Sequence, residues 1–216
     1  MANSKLKERA RHLSEAVFAA FLFGTQTILN AGWAISVMAI PLLPYVIGFL
    51  GGKANPEREI DVLFFSKEFI VGRAIALVGF MVLLVAVAQL LWGFHKGIGL
   101  IKTGAYSVVR HPQFLGIIIV TIGLTVMVLT NQMHNQIQIV GLWVLQIFGY
   151  TALARYEEWC LSKKFGDEYL QYKQKVPFLF PIKCPSKIPE TLLTILIAIL
   201  ISLILVLFPY NLIRIL

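Results

Sequence analysis

Charge is scarce in this sequence. Of its 216 residues only 14% are Asp, Glu, Lys or Arg and 58% are hydrophobic, against roughly 25% charged in an ordinary soluble domain. A soluble globule is thereby excluded. Cysteine is nearly absent as well, with Cys160 and Cys184 alone, too few for a disulfide framework and without the spacing of a metal site. Aspartate occurs only at Asp61 and Asp167, and no Ser/His/Asp triad can be assembled from them. A cleavable leader also fits poorly. Lys5, Lys7, Arg9 and Arg11 precede an apolar tract from Ala16 to Leu50, far longer than a signal core of about 7 to 15 residues.

What is present is a series of long apolar runs without barrel-like alternation. In lipid the backbone must satisfy its own polar groups, so such runs read as helices. Five spans are expected. The first covers Ala16 to Ile40 and is disturbed by Pro41 and Pro44, leaving Tyr45 to Gly52 as a re-entrant or interfacial tail. The second covers Val71 to Phe94. The third starts at Pro112, a residue suited to a first helical turn, and runs to about Thr130. A short polar tip then predicts an antiparallel hairpin with a fourth span, Gln136 to Ala154. Tyr156 to Lys175 carries Trp159, Leu161, Phe165, Tyr169 and Tyr172 at helical spacing, an amphipathic region broken at Gly166 and suited to the headgroup layer. A proline-punctuated linker leads to the fifth span, Glu190 to Phe208. The expected fold is all-α: a polytopic membrane helical bundle of about five transmembrane helices, with a cytosolic C-terminal amphipathic region and an additional last span.

The net charge of +8 is spread over the loops, so it reads as membrane orientation rather than nucleic-acid binding. The N-terminal segment, the loop before Pro112 and the segment Arg155 to Lys187 together hold fourteen Lys and Arg, and the opposite side holds five. The positive-inside rule puts the first set in the cytosol. Both polar clusters then share one membrane face, and one site can draw on both.

The first cluster runs from Gly97 to Gly116 and feeds the helix that starts at Pro112. Backbone N–H groups at a helix start favour a carboxylate or phosphate. Gly97, Gly99 and Gly104 do not form a dinucleotide fingerprint, because no strand precedes them and the spacing is wrong. Arg110 and His111 serve either as positioning residues of a site or as interfacial anchors. The second cluster runs from Arg155 to Pro181. Its Glu157 and Glu158 stand at a membrane helix end, where acids are functional or paired. Arg155 and Arg110 are the partners at hand, and a ligand ammonium or ribose hydroxyl is the alternative. His95, His111 and His134 lack metal-ligand spacing, so no metal is expected.

The pattern Gly104-x-Tyr106-x-x-x-Arg110-His111-Pro112-x-Phe114-x-Gly116, followed by Glu157-Glu158, Phe165-Gly166-x-Glu168-Tyr169-x-x-Tyr172 and Val176-Pro177-x-x-x-Pro181, resembles the isoprenylcysteine carboxyl methyltransferase family and related phospholipid methyltransferases. It covers about residues 95 to 181. The resemblance implies an integral membrane enzyme, multi-pass, that uses S-adenosylmethionine on the cytosolic face to methylate a hydrophobic or lipid-embedded acceptor, such as an isoprenylcysteine-like carboxylate, a phospholipid amine or a small hydrophobic thiol. It implies cofactor contacts from Ile98, Leu100, Ile101, Tyr106, His111, Pro112, Gln113, Phe114 and Glu157. Neither an acid–base pair nor a nucleophile is required, since methyl transfer from a sulfonium is an in-line displacement that needs orientation and a dry pocket.

Two departures bear on the acceptor. The family often has Tyr where Phe114 stands, and its prenylcysteine enzymes carry an Arg one turn before the Glu pair, where this chain has Leu153. On the same resemblance the chain divides into N-terminal spans (1–94), a methyltransferase core (95–181) and a linker with a last span (182–216). Two other classes stay open. An NADPH-dependent sterol-reductase-like enzyme is echoed by Cys160-Leu-Ser-Lys-Lys-Phe-Gly166, although the loop lacks Asp after Gly116 and the chain is short. A non-catalytic membrane scaffold is the other, motivated by an N-terminal half that matches only in hydropathy.

Overall fold

The computed structural model describes residues 38–51, 65–130, 136–182 and 188–207. Its helices are α1 (Leu43–Gly51), α2 (Ile70–His95), α3 (Pro112–Thr130), α4 (Gln136–Phe165), α5 (Asp167–Lys175) and α6 (Glu190–Leu207), with short 3-10 turns at Ile40–Leu42, Lys67–Phe69 and Gly104–Ser107. The fold is an all-α bundle. Among the described residues, four helices are long and apolar enough to cross a membrane: α2, α3, α4 and α6. The expected first span lies almost wholly outside the described residues.

The seam that fixes the bundle is between α2 and α3. Helix α2 is apolar on all sides, yet its buried residues are Gly72, Gly79, Ala86 and Gly93, a small residue every seventh position. Without a hydrophobic force between helices in lipid, small residues let backbones approach and pack closely. Gly116 and Gly123 answer from α3. A Cβ at Gly79 would stand 2.4 Å from the Val120 nitrogen, and one at Gly116 would stand 2.6 Å from the Leu83 nitrogen. Because 72% of α3's apolar stretch is buried, against 11% for α2 and 17% for α6, α3 is the central helix and the other two turn broad faces to lipid.

Residues 45–51, expected as a re-entrant or interfacial tail, are helical: a 3-10 turn at Ile40–Leu42 runs directly into α1. There Tyr45 is fully buried, and its hydroxyl bonds the Thr121 carbonyl at 3.0 Å and Thr125 Oγ1 at 2.8 Å. The core thereby satisfies the hydroxyl, and α1 packs inward.

The fourth helix does not stop at Ala154 but continues to Phe165. Nothing after Ala154 breaks it until Gly166, whose φ of +51° is a conformation that favours glycine. At 1.5 Å per residue its 30 residues span roughly 45 Å, beyond a hydrocarbon core of about 30 Å. Glu157 lies about 31 Å along the helix from Gln136. The first half of the expected headgroup helix is therefore a rigid extension of a membrane span, and only α5 is a separate amphipathic helix. The start of α3, the end of α4 and the start of α6 meet at one end of the bundle, as the pairing of Arg110 with both Glu158 and Glu190 requires.

Candidate functional site

Between the end of α2, the loop 96–111, the extension of α4 and helix α5 lies a cavity of about 300 Å³, at the lower end of the range for ligand sites. Its walls are mostly apolar. Leu90 and Phe94 come from α2, Ile98, Leu100 and Ile101 from the loop, and Leu161 and Phe165 from α4. The polar groups include Tyr106, Arg110, His111, Gln113, Glu157 and Lys164, with Tyr156, Tyr169 and Tyr172 beside them.

The loop is irregular for reasons visible in its residues. Gly97 and Gly104 hold φ of +65° and +62°, positions glycine fills without penalty. Gly104 also lies where a Cβ would meet Gln89 Nε2 at 1.9 Å, and Gln89 Oε1 accepts the Ala105 N–H at 3.0 Å. The chain then turns through Gly104–Ser107 into α3. Helix α5 locks this turn, since the Tyr172 hydroxyl donates to the Tyr106 carbonyl at 2.6 Å. The tail 176–181 closes it from the other side: the Arg110 N–H donates to the carbonyls of Pro177 at 2.9 Å and Phe178 at 3.2 Å.

Arg110, His111, Glu157 and Glu158 form the polar centre. His111 Nδ1 lies 3.2 Å from Glu157 Oε2, and its Nε2 lies 3.8 Å from Glu158 Oε1. Its ring stacks on Phe114 at 5.6 Å and meets the edge of Phe178 at 5.4 Å, which holds the imidazole in one plane. Burial by itself lowers the proton affinity of His111, but the two carboxylates outweigh it and hold its pKa above the usual histidine value. Glu158 is the hub. It pairs with Arg110 at 2.8 Å, Arg155 at 3.0 Å and Lys173 at 2.9 Å. Glu157 stays 34% exposed on its side chain and lines the cavity.

Several buried polar groups of the cavity lining have no hydrogen-bond partner among the described residues, the Tyr169 hydroxyl among them. The Tyr106 hydroxyl and Gln113 Oε1 are buried without a hydrogen-bond partner among the described residues, and both residues line the cavity. Burial, together with the charge of Glu157, pushes the Tyr106 phenol up, so it stays a neutral donor. An unpaired buried polar group costs about 1–3 kcal/mol, and a ligand that pairs with it recovers that cost.

Of the residues singled out in the sequence, Ile98, Leu100, Ile101, Tyr106, His111, Gln113 and Glu157 line this cavity together, as does Arg110. Pro112 and Phe114 do not. Pro112 is buried at the first turn of α3, and Phe114 is fully buried between His111 and Tyr150, so it supports the site from behind. Sequence reading passed over Leu90, Phe94, Cys160, Lys164 and the wall role of Leu161 and Tyr169. The signal for the α4 residues was helical spacing from Glu157: positions 160, 161 and 164 follow it on one face. For Leu90 and Phe94 no local signal existed, because α2 is apolar all round.

A family model described as "Protein of unknown function (DUF1295)" matches residues 10–176. The chain is 40% identical over 77 residues to protein-S-isoprenylcysteine O-methyltransferase of Saccharomyces cerevisiae, covering 36% of this chain and 30% of that protein. It is 32% identical over 83 residues to protein-S-isoprenylcysteine O-methyltransferase B of Arabidopsis thaliana, covering 38% of each. To a probable protein-S-isoprenylcysteine O-methyltransferase of Oryza sativa subsp. indica it is 28% identical over 182 residues, covering 76% of this chain and 87% of that one. The matched stretch thus spans about a third of the first two relatives. No solved structure matches the chain.

Proposed function

The chain belongs to the DUF1295 family, and from that membership, its methyltransferase relatives and the cavity we propose that it is a membrane-integral methyltransferase using S-adenosylmethionine. The observation that carries the reading is the convergence of motif residues on one cavity. Apolar walls from Ile98, Leu100, Ile101, Phe94 and Leu161 suit an adenine ring. Glu157 offers a carboxylate to an ammonium or ribose hydroxyl, and the unpartnered Tyr106 hydroxyl offers a donor and Gln113 Oε1 an acceptor. The residues present therefore fit the cofactor.

When bound, the cofactor supplies an electrophilic methyl group on a sulfonium. The protein orients and shields. Tyr106, Gln113 and Glu157 fix the ligand in one pose, and the rigid extension of α4 keeps that pose constant. Loop 96–111 and α5 exclude water, which matters because displacement at a methyl carbon gains most from alignment and a dry site. His111, clamped by Glu157 and two aromatic rings, positions the carboxylate that faces the cavity.

We assign the cavity to the cytosolic face from the excess of Lys and Arg in the loops of that end. The acceptor is a hydrophobic or lipid-embedded molecule, with an isoprenylcysteine-like carboxylate and a phospholipid amine as the two chemistries in view. The relatives named for isoprenylcysteine favour the first, and Leu153 in place of an Arg keeps the second open. The test is calorimetry with S-adenosylmethionine and NADPH side by side on detergent-purified protein. Binding of the first alone is expected. Binding of NADPH alone overturns the reading in favour of a reductase, and binding of neither leaves a scaffold.

A further inference from the structure

Arg110 carries a permanent charge, yet its side chain is only 1% exposed. Two membrane helices neutralise it. Its Nη1 lies 2.8 Å from Glu158 Oε1 on α4, and its Nη2 lies 2.5 Å from Glu190 Oε1, in the first turn of α6. Arg155 joins the same two carboxylates, at 3.0 Å to Glu158 and 3.8 Å to Glu190. The Phe178 ring lies under both guanidinium groups, 5.3 Å from Arg110 and 5.7 Å from Arg155. Glu190 lies beyond residue 176, where the family match ends, and beyond every motif of the loop and tail.

We propose that Glu190 is a positioning residue of the site, which makes the last membrane span a working part of the cofactor pocket. It holds one end of the Arg110 guanidinium so that the other end stays on Glu158, and Glu158 in turn stays against His111. The proposal rests on the reading of the cavity as an S-adenosylmethionine site.

Geometry and charge both argue for this. A glutamate in a first helical turn is already favoured by the helix dipole and has no need of a buried partner. Here it turns onto an arginine adjacent in sequence to His111, and only a quarter of its side chain is exposed. Without it, Glu158 is the one remaining carboxylate of the pair for Arg110 and Arg155, with Lys173 also upon it. The charges of Arg110 and Arg155 are then less compensated, and the potential at the imidazole becomes more positive. The charged and titratable groups of the network are Glu157, Glu158 and Arg155 from α4, Arg110 beside His111, Tyr106 from the 3-10 turn, Tyr169, Tyr172 and Lys173 from α5, and Glu190 from α6. Removing the Glu190 charge therefore shifts the network towards positive and disfavours protonated His111.

The experiment compares the wild-type chain with Glu190→Gln and Glu190→Asp, purified whole in detergent. Two quantities are read: the His111 imidazole titration by NMR, assigned against His111→Gln, and the Kd for S-adenosylmethionine by calorimetry. Glu190→Gln keeps size and hydrogen-bonding capacity, so a purely structural role leaves the titration in place. The expected result is a downward shift of the His111 midpoint by about half a pH unit and a Kd raised about three- to tenfold. Wild-type titration and affinity in Glu190→Gln overturn the proposal. Glu190→Asp keeps the charge and should titrate closer to wild type than Glu190→Gln; if Glu190→Gln does not yield folded protein, Glu190→Ala is read in its place, with the same downward shift and raised Kd expected and an unchanged titration and Kd overturning the proposal. If the wild-type chain binds no S-adenosylmethionine, the cofactor reading fails by itself. The titration needs no cofactor and still decides whether Glu190 acts on His111.

Discussion

His111 and Glu157 are 46 residues apart in sequence, and their side chains meet at 3.2 Å where the residue that leads into one buried helix faces the extension of another. The contact closes the polar side of the cavity. Glu157 is anchored at Oε2 while its side chain keeps 34% of its surface open, so the carboxylate is held in place and still available to a ligand.

Glu157→Gln is expected to weaken S-adenosylmethionine binding about tenfold or more, since hydrogen bonds to charged groups contribute about 1.5–3 kcal/mol. Folding should be retained, because Glu158 carries the buried ion pairs. Calorimetry of the variant measures this, and an unchanged Kd removes Glu157 from the ligand site.

His111 makes stability depend on pH with a definite sign. Its folded-state pKa is raised above the ordinary value of about 6.5, so its contribution is fully present below that value and is lost as pH rises through the folded-state pKa. Thermal unfolding of the wild type and Glu157→Gln between about pH 5 and pH 9 should show the wild type losing more Tm across the alkaline half. Parallel profiles in the two proteins would count against the coupling.

Two tyrosines at the same turn should respond in opposite ways. Tyr172→Phe removes a 2.6 Å bond to the Tyr106 carbonyl and is expected to cost about 1 kcal/mol of stability. Tyr106→Phe removes a buried hydroxyl with no partner among the described residues, so the ligand-free protein should be as stable or more so, while the Kd for S-adenosylmethionine rises. Unfolding scans with and without ligand distinguish them; equal destabilisation of the ligand-free proteins refutes the contrast.

The α2–α3 seam should tolerate no added methyl. At Gly79 a Cβ meets backbone atoms of α3, 2.4 Å from the Val120 nitrogen and 2.8 Å from the Gly116 carbonyl oxygen, and backbone cannot move aside as a flexible side chain can. Gly79→Ala is expected to cost about 1–3 kcal/mol or more. Gly141 on α4 meets nothing within 4 Å, so Gly141→Ala should be neutral or gain about 0.5–1 kcal/mol from helix propensity. Detergent unfolding of the two variants tests the difference, and equal stability would place the seam elsewhere.

The helices α2, α3 and α6 were legible almost to the residue. Pro112 starts α3, and apolar runs of bilayer length leave the backbone little choice but helix. The end of α4 was not legible from hydropathy, because polarity rises at Arg155 while the helix stops only at Gly166. Polarity marks where lipid ends, whereas glycine marks where the backbone can turn.

The candidate site divides in the same way. The family resemblance brought out His111, Glu157 and Tyr106 and named Glu157 rather than Glu158 as a ligand contact, but the residue pattern alone carried no reason to separate the two glutamates. Glu158 is one residue, about 100° of helical turn, beyond Glu157, and that rotation sends it into the buried cations while Glu157 faces the cavity. By itself the sequence determined the helical class, the membrane spans and the two polar clusters at one end, since these follow from local hydropathy and breaker residues. Only the tertiary structure decided that Phe114 supports the site from behind, that Leu90 and Phe94 form its wall and that Glu190 reaches Arg110. These depend on which faces of packed helices meet, and helix rotation and depth are set by side chains far apart in the chain.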